Sequence, residues 1–143
     1  MAILSIQSHV SYGYVGNKAA AFPLQRLGME VWDVDTVEFS NHTGYGAWRG
    51  KVLGAEHVRE IIRGIGERGV LGRCWALLSG YLGDADIAEA GRESVERIRA
   101  ANGRALYCCD PVKGDEGRGD FVKGEIPKVL MERLNPLSDI ARP

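Results

Sequence analysis

The sequence predicts an α/β protein with a mostly parallel sheet flanked by helices. Two observations support this class: short apolar runs alternate with amphipathic segments along the chain, and glycine-rich turns separate them. Strands that alternate with helices form a parallel sheet through right-handed crossovers. The chain has 143 residues, of which 45% are hydrophobic and 26% charged, so we expect one domain or part of one.

The first half of the chain predicts two strands and the helix between them. Residues 2–8 (AILSIQS) form a short apolar run, and residues 17–28 are typical of a helix that ends at a glycine. Because Pro23 lacks a backbone N–H, we expect either a kink there or a late start of this helix. Residues 30–37 alternate apolar and polar side chains, which predicts a strand, and a long polar and aromatic loop follows through about Gly54.

The second half of the chain continues the alternation. Isoleucine and valine at helical spacing predict an amphipathic helix over 55–69, and the apolar run at 74–80 predicts a strand. The clearest helix spans 84–103, because either Asp84 or Asp86 can cap its first turn and Gly103 ends it. A fourth strand is expected over 104–110 and a shorter helix over 126–134. The residues SDIARP look like the beginning of a fifth strand.

The composition argues against several classes of function. The formal net charge of −1 gives no electrostatic reason to bind nucleic acid or an anionic membrane. No apolar run approaches the ~20 residues that a membrane span needs, and the first residues lack the basic start of a secretory signal. A cytoplasmic location is therefore expected.

The three cysteines, Cys74, Cys108 and Cys109, form no C-x-x-C motif. They are expected to be reduced core residues, with a reactive thiol or metal ligand as the alternative.

Polar residues follow several predicted strands. In open α/β sheets, ligands bind outside the carboxyl ends of the strands. Those ends carry Ser8, the loop after Val37, the turn at 79–81 and Asp110. We therefore expect residues that are far apart in sequence to meet at one edge of the sheet. The turn at 8–17 lacks both G-x-G-x-x-G and G-x-x-x-x-G-K-[ST], so a nucleotide would have to be held in another way.

The loop DPVKGDEGRG (110–119) is a candidate for phosphate chemistry. Pro111 keeps Asp110 extended, and the glycines allow backbone N–H groups to approach an anion. The carboxylates of Asp110 and Asp115 repel phosphate directly, but they can hold Mg²⁺, which bridges phosphate oxygens. An ordinary polar surface loop, with Asp110 in an Asx turn, is the alternative.

The loop FSNHTGYGAWRG (39–50) is a second candidate. It gathers His42, Thr43, Tyr45 and Trp48 among glycines. Aromatic faces with hydroxyl and imidazole groups suit a small flat heterocycle. The alternative is a loop whose aromatic side chains pack on its own helix.

Four separated motifs resemble the pyridoxal kinases of the ribokinase-like superfamily: IQSHVSYGYVGNKAAAFPLQRLG, VEFSNHTGYGAW, LLSGYLG and CCDPVKGDEGRG. They occur in the family's order and span nearly the whole chain. The resemblance implies a Rossmann-like, ribokinase-like sheet. It also implies transfer of the γ-phosphate of ATP to the 5′-hydroxyl of pyridoxal, pyridoxine or pyridoxamine, with Mg²⁺ as the metal and a homodimer as the assembly.

The same resemblance implies a set of substrate-binding residues. Ser8 resembles the serine that hydrogen-bonds the pyridine ring. Thr43 and Gly44 resemble the substrate-contacting pair of the family, with His42 against that pocket. Tyr81 resembles the aromatic residue that lines the vitamin site.

On the nucleotide side, Asp110 and Asp115 resemble the acidic residues near the ATP phosphates and metal. Lys113 departs from the family pattern, in which an apolar residue is usual. Family chains are also longer, so we expect a C-terminally truncated, single partial domain over 1–143, with the catalytic base beyond Pro143. The alternative to a kinase is therefore a non-catalytic vitamer-binding fragment or a truncated remnant.

Overall fold

The protein is represented by a computed structural model that describes residues 1–112, 114–115, 119–120, 128 and 130–141. The strands, in chain order, are β1 (Ala2–Tyr12), β2 (Glu30–Asn41), β3 (Gly50–Val52), β4 (Cys74–Ser79), β5 (Leu106–Cys109), β6 (Gly114–Asp115), β7 (Gly119–Asp120) and β8 (Ile140–Ala141). The helices are α1 (Asn17–Arg26), α2 (Ala55–Glu67) and α3 (Ala85–Ala101).

The main sheet has six strands in the order β3-β2-β1-β4-β5-β8. Strands β2, β1, β4, β5 and β8 run parallel, and only the edge strand β3 pairs antiparallel, with β2. Strands β6 and β7 form a separate two-stranded ladder. The predicted α/β class is therefore confirmed, and so is the fifth parallel strand, which is β8.

Two strands are longer than the sequence predicts. Strand β1 continues past residue 8, and β2 continues past residue 37, because the two keep pairing as far as Tyr12 and Asn41. The pairing register shifts between Gln7 and His9. The short strand β3 was not predicted and lies within the expected loop. It begins at Gly50, where a Cβ atom would overlap the carbonyl oxygen of Glu38, so only glycine fits.

The helices agree with prediction more closely. Helix α1 begins at Asn17 and contains Pro23, so the expected late start is wrong. Helix α3 begins where expected, because the Asp84 carboxylate accepts a hydrogen bond from the Ile87 N–H at 2.8 Å. Of the helix predicted over 126–134, the first residues lie outside the described part of the chain. The described residues Leu130–Leu134 form a π-helical turn.

The core lies mainly between the sheet and the pair α2 and α3. Buried side chains of β1, β4 and β5 meet buried side chains of the two helices there, among them Leu4, Ile6, Leu77, Tyr107, Val58, Ile62, Ile87, Val95 and Ile98. Helix α1 packs on β1 and β2 on the opposite face, where its buried Asn17 bonds Ser5. Cys74 and Cys109 are buried free thiols and Cys108 is half-buried, as expected for reduced core cysteines. None of the described helices combines the length and apolar character needed to span a bilayer.

Candidate functional site

A cavity of about 210 Å³ lies at the carboxyl-terminal side of the parallel strands. Five of the seven residues singled out by sequence line it together: Ser8, His42, Thr43, Tyr81 and Asp110. They come from β1, from the turn after β2, and from the segments after β4 and β5. The sheet thus brings together residues up to about a hundred positions apart, as the rule for parallel sheets predicts.

The other two candidates are Gly44 and Asp115. Gly44 stands beside the lining residue Thr43 but is not part of the wall. The backbone of Asp115 belongs to β6 and pairs with Gly119. The side chain of Asp115 and all of Lys113 lie outside the described residues.

Several lining residues were missed by sequence reasoning. The remaining wall is formed by Gln7, Val10, Val15, Gly16, Val37, Phe39 and Val112. Two of these residues, Val10 and Phe39, could have been found from their spacing in the sequence. Val10 follows Ser8 by two positions, and Phe39 follows Val37 by two, so each pair points to one face of a strand. Extending the predicted strands by a few residues would have placed these side chains beside the candidate residues.

The turn that precedes α1 lies directly against Ser8. Its side chain is 8% exposed, and it lies where the β1–β2 register shifts. Gly16 has φ +56°, and a Cβ atom added there would overlap both the carbonyl oxygen and Oγ of Ser8. The turn therefore covers Ser8 only because residue 16 has no side chain.

The turn that carries Thr43 is organised by its neighbours. His42 precedes a 3₁₀ turn over Thr43–Tyr45, and its Nδ1 accepts a hydrogen bond from the Gly44 N–H at 3.1 Å. The side-chain amide of Asn41 donates to the carbonyl oxygens of His42 and Ala47 at 3.1 and 2.9 Å. These bonds satisfy backbone groups that no strand or helix uses. They hold Thr43 at the mouth of the cavity.

The aromatic residues of the 39–50 loop have different roles from one another. Phe39 lines the cavity, and the ring of Trp48 packs on it with centroids 4.1 Å apart. Tyr45 makes edge contacts to Tyr12 and His42 at 6.3 and 6.2 Å. Trp48 and Tyr45 thus pack on other aromatic rings, and neither lines the described cavity. The aromatic wall is formed by Phe39 and Tyr81.

Tyr81 is anchored through its backbone. The Thr36 hydroxyl donates to the Tyr81 carbonyl oxygen at 2.8 Å, and Thr36 is fully buried in β2. The Tyr81 side chain packs against both hydrophobic clusters of the protein. Burial raises the pKa of its phenol above the ordinary value, and the negative charge of Asp84 raises it further.

This raised pKa predicts a loss of stability in alkaline solution. Above about pH 10 the unfolded chain releases the Tyr81 proton before the folded chain does, so the free energy of unfolding falls as pH rises. We expect Tyr81→Phe to lessen this fall, as measured by urea unfolding at a series of pH values. Asp84→Asn keeps a helix-capping oxygen and should lessen it by a smaller amount. An unchanged pH dependence in Tyr81→Phe would contradict the assignment.

A buried polar network lies between α1 and strands β1 and β2. It joins Gln7 to Ser5, Ser5 to Asn17, and Asn17 to Asp35 and the Val34 carbonyl through bonds of 2.8–3.1 Å. Ser5 is 0% and Asn17 2% exposed. Gln7 lines the cavity, so the network connects the first turn of α1 to the cavity wall.

Asp110 supplies the carboxylate of the described cavity wall. Its N–H donates to the Ser79 carbonyl at 2.8 Å, which holds it at the end of β5 beside β4. In residues 1–112 and the other described positions, no group of three or more His, Cys, Asp or Glu is arranged to hold a metal ion. A single carboxylate fits Mg²⁺ only where phosphate oxygens and waters complete its coordination.

Comparison with known proteins identifies relatives along nearly the whole chain. No protein-family model matches it. A pyridoxal kinase PdxY from Rubrobacter xylanophilus is 63% identical over 141 residues, which are 99% of this chain and 49% of that protein. A structure of pyridoxal kinase from Leishmania donovani with ADP and ginkgotoxin is 39% identical with a TM-score of 0.91, over 98% of this chain and 49% of that one. The same kinase with ADP and pyridoxamine gives 39% identity and a TM-score of 0.90, over 98% and 50%.

The parallel sheet, with the cavity at its carboxyl edge, defines an α/β protein whose fold matches about half the length of the solved pyridoxal kinase structures. Within that class, the chain is homologous to the pyridoxal kinases and matches their N-terminal portion. It spans about half the length of the curated relatives it matches.

Proposed function

We propose that this chain forms the vitamer-binding part of a pyridoxal kinase, which transfers the γ-phosphate of ATP to the 5′-hydroxyl of pyridoxal, pyridoxine or pyridoxamine. The observation that carries the proposal is the single cavity lined by Ser8, Thr43, Tyr81 and Asp110. Homologous kinases bind ADP together with ginkgotoxin or pyridoxamine, which supports the same pair of ligands here.

The cavity has the size and lining for one small ring. At about 210 Å³ it is smaller than the pockets of roughly 300–1,000 Å³ that hold drug-sized ligands. Phe39 and the valines supply apolar contact for a pyridine ring. The hydroxyl of Ser8 hydrogen-bonds the ring nitrogen, and Thr43 with Gly44 and His42 contacts the ring substituents.

Asp110 and Asp115 serve the nucleotide in this proposal. A carboxylate repels phosphate, so Asp110 would hold Mg²⁺ or the waters around it, and that ion would supply neutralising charge for the transferring phosphoryl group. The base that takes the proton from the 5′-hydroxyl lies in the half of the relatives that this chain does not match, beyond Pro143.

The full-length protein acts in the cytoplasm as a homodimer. The buried free thiols of Cys74 and Cys109 suit a reducing compartment. The dimer is inferred from the family resemblance, and sedimentation of the full-length protein tests it. A single species at the monomer mass at micromolar concentration would exclude a stable dimer.

Calorimetric titration with pyridoxal tests the vitamer site directly. We expect saturable binding by the wild-type chain, and a loss of roughly tenfold to a hundredfold in affinity for Ser8→Ala combined with Thr43→Ala, because two ligand hydrogen bonds disappear. Ser11→Ala removes an exposed hydroxyl of the same strand and is the matched control. Unchanged affinity in the double variant would remove these residues from the site.

A coupled ATP-consumption assay tests the kinase activity. A protein extended by the half of the relatives that this chain does not match should consume ATP with pyridoxal. Phosphorylation of a sugar but of no vitamer would end the substrate assignment.

A non-catalytic vitamer-binding module is the second candidate for the chain alone, because Asp110 is the carboxylate of the described cavity wall and is assigned to the nucleotide. Pyridoxal phosphorylation by the 143-residue chain would exclude that candidate.

A further inference from the structure

We infer that Gln7 presents a fixed hydrogen-bond acceptor to the cavity and thereby selects ligands that carry a hydroxyl donor at that point. The inference rests on the proposed vitamer site and adds a specificity-determining residue to it. Gln7 is half-buried and lines the cavity. A glutamine amide has a donor end and an acceptor end, so its specificity depends on which end faces the ligand.

The orientation of the Asn17 side-chain amide is fixed by its hydrogen-bond partners. Its Nδ2 lies 3.1 Å from the Val34 carbonyl oxygen and 2.8 Å from the Asp35 Oδ1. A backbone carbonyl only accepts hydrogen bonds, so the Asn17 NH₂ group must face Val34. The Oδ1 of Asn17 therefore faces the other way, toward Ser5, whose Oγ lies at 2.8 Å.

The orientation of Ser5 follows from that of Asn17. The Ser5 hydroxyl has one proton, and Asn17 Oδ1 can only accept, so the proton lies between them. The buried Ser5 oxygen can then accept but no longer donate. The Gln7 group that faces it, at 2.9 Å, must be the NH₂ group. Gln7 Oε1 is thereby directed away from Ser5.

Gln7 Oε1 is available to a ligand. It lies against Gly80 at the end of β4, where an added Cβ would come within 2.5 Å of it. In the part of the chain that the structure describes, no protein donor bonds this oxygen, and it is not among the fully buried side-chain atoms that lack a partner. A ligand that displaces water from Oε1 without offering a donor leaves the oxygen unpaired, and such ligands are rejected.

The donor class follows from the rest of the site. Ser8 is assigned to the ring nitrogen of the vitamer, which leaves the hydroxyl groups of the ligand as donors for Gln7. The cavity should therefore distinguish a hydroxylated pyridine from the same ring without that hydroxyl. This discrimination belongs to the vitamer pocket and needs neither ATP nor phosphoryl transfer.

Calorimetry with four ligands tests the inference. The probes are pyridoxine and three analogues that each lack one of its hydroxyls. We expect the wild-type chain to bind one analogue roughly tenfold or more weakly than pyridoxine. Gln7→Met, of similar size, should lower pyridoxine affinity to the level of that analogue and leave the analogue itself unchanged. Gln25→Met, on the exposed side of α1, is the matched control. It should keep the wild-type ratio of the affinity for pyridoxine to the affinity for that analogue.

The variant Ser5→Ala separates the orientation of the Gln7 amide from the shape of the cavity wall. Ser5 does not line the described cavity, but its loss frees the Gln7 amide to present either end, so the ratio should fall while the protein still melts cooperatively. A preserved ratio in Ser5→Ala would overturn the orienting network. Equal weakening of all four ligands in Gln7→Met would make Gln7 a shape residue only. A wild-type chain that binds none of the four ligands would overturn the vitamer site itself.

Discussion

Gly16→Ala is expected to abolish measurable pyridoxal binding and to lower the free energy of unfolding by about 2–5 kcal/mol. Two costs add at this position. The backbone has φ +56°, a conformation that residues other than glycine rarely adopt. The new Cβ would also overlap the Ser8 carbonyl oxygen and Oγ. Relief of that overlap must move Ser8, which lines the cavity. Urea unfolding and calorimetry measure the two effects.

Gly28→Ala separates these two costs. Gly28 also has a positive φ, +83°, but no heavy atom lies within 4 Å of a Cβ placed there. This variant therefore meets only the backbone cost, about 1–2 kcal/mol, and should bind pyridoxal as the wild type does. If both variants lose the same stability and both keep binding, the close approach at Ser8 has no part in forming the site.

Asn17→Ala is expected to cost about 3–5 kcal/mol of unfolding free energy. The substitution removes the partner of the Ser5 hydroxyl, of the Val34 carbonyl and of one Asp35 oxygen, and Ser5 and Val34 are buried with no access to water. Unpaired buried polar groups are more costly than the hydrogen bonds themselves are stabilising. Chemical denaturation at pH 7 measures the difference.

Two further variants sharpen this prediction. Asn102→Ala also removes a side chain with two hydrogen bonds, to the Cys74 carbonyl and from the Arg104 N–H, but at a half-buried site, so its cost should be smaller. Asn17→Asp keeps the shape but turns an acceptor toward the Val34 carbonyl and Asp35, so it should be at least as harmful as Asn17→Ala. An Asn17→Asp protein as stable as the wild type would contradict the described orientation.

The class of fold and the meeting of the site residues could be predicted from sequence, because both depend on local pattern and one general rule. Alternating apolar runs and helical spacings identify parallel strands and their crossovers. Because the strands are parallel, the same edge of the sheet carries Ser8, Thr43, Tyr81 and Asp110. The cap at Asp84 was predictable for a similar reason, since it involves residues three positions apart.

The features that were missed depend on contacts between distant residues. Strand β1 reaches Tyr12 only because β2 pairs with it there, and its last two residues, Ser11 and Tyr12, are exposed and show no strand pattern. Gly50 and Gly16 look like ordinary loop glycines until Glu38 and Ser8 are found against them. Such close approaches leave no local signal.

The polar network of Gln7, Ser5 and Asn17 was missed for a related reason. Polar residues are usually exposed, whereas here Ser5 and Asn17 are buried, Gln7 is half-buried, and the three side chains hydrogen-bond one another. Asn17 is the first residue of α1, a position at which polar residues are common, so its burial could not be inferred. Its partners in β2 are 17 and 18 residues away along the chain.

Amide NMR spectra of the chain recorded with increasing pyridoxal test the central claim, that one cavity at the carboxyl edge of the sheet binds a vitamer. We expect the amide signals of Ser8, Thr43, Tyr81 and Asp110 to shift together along one binding curve. The signal of Gly69, which follows α2 and lies outside the cavity wall, should stay in place. Shifts at Gly69 with the four cavity signals unchanged, or no shifts at saturating pyridoxal, would contradict the claim.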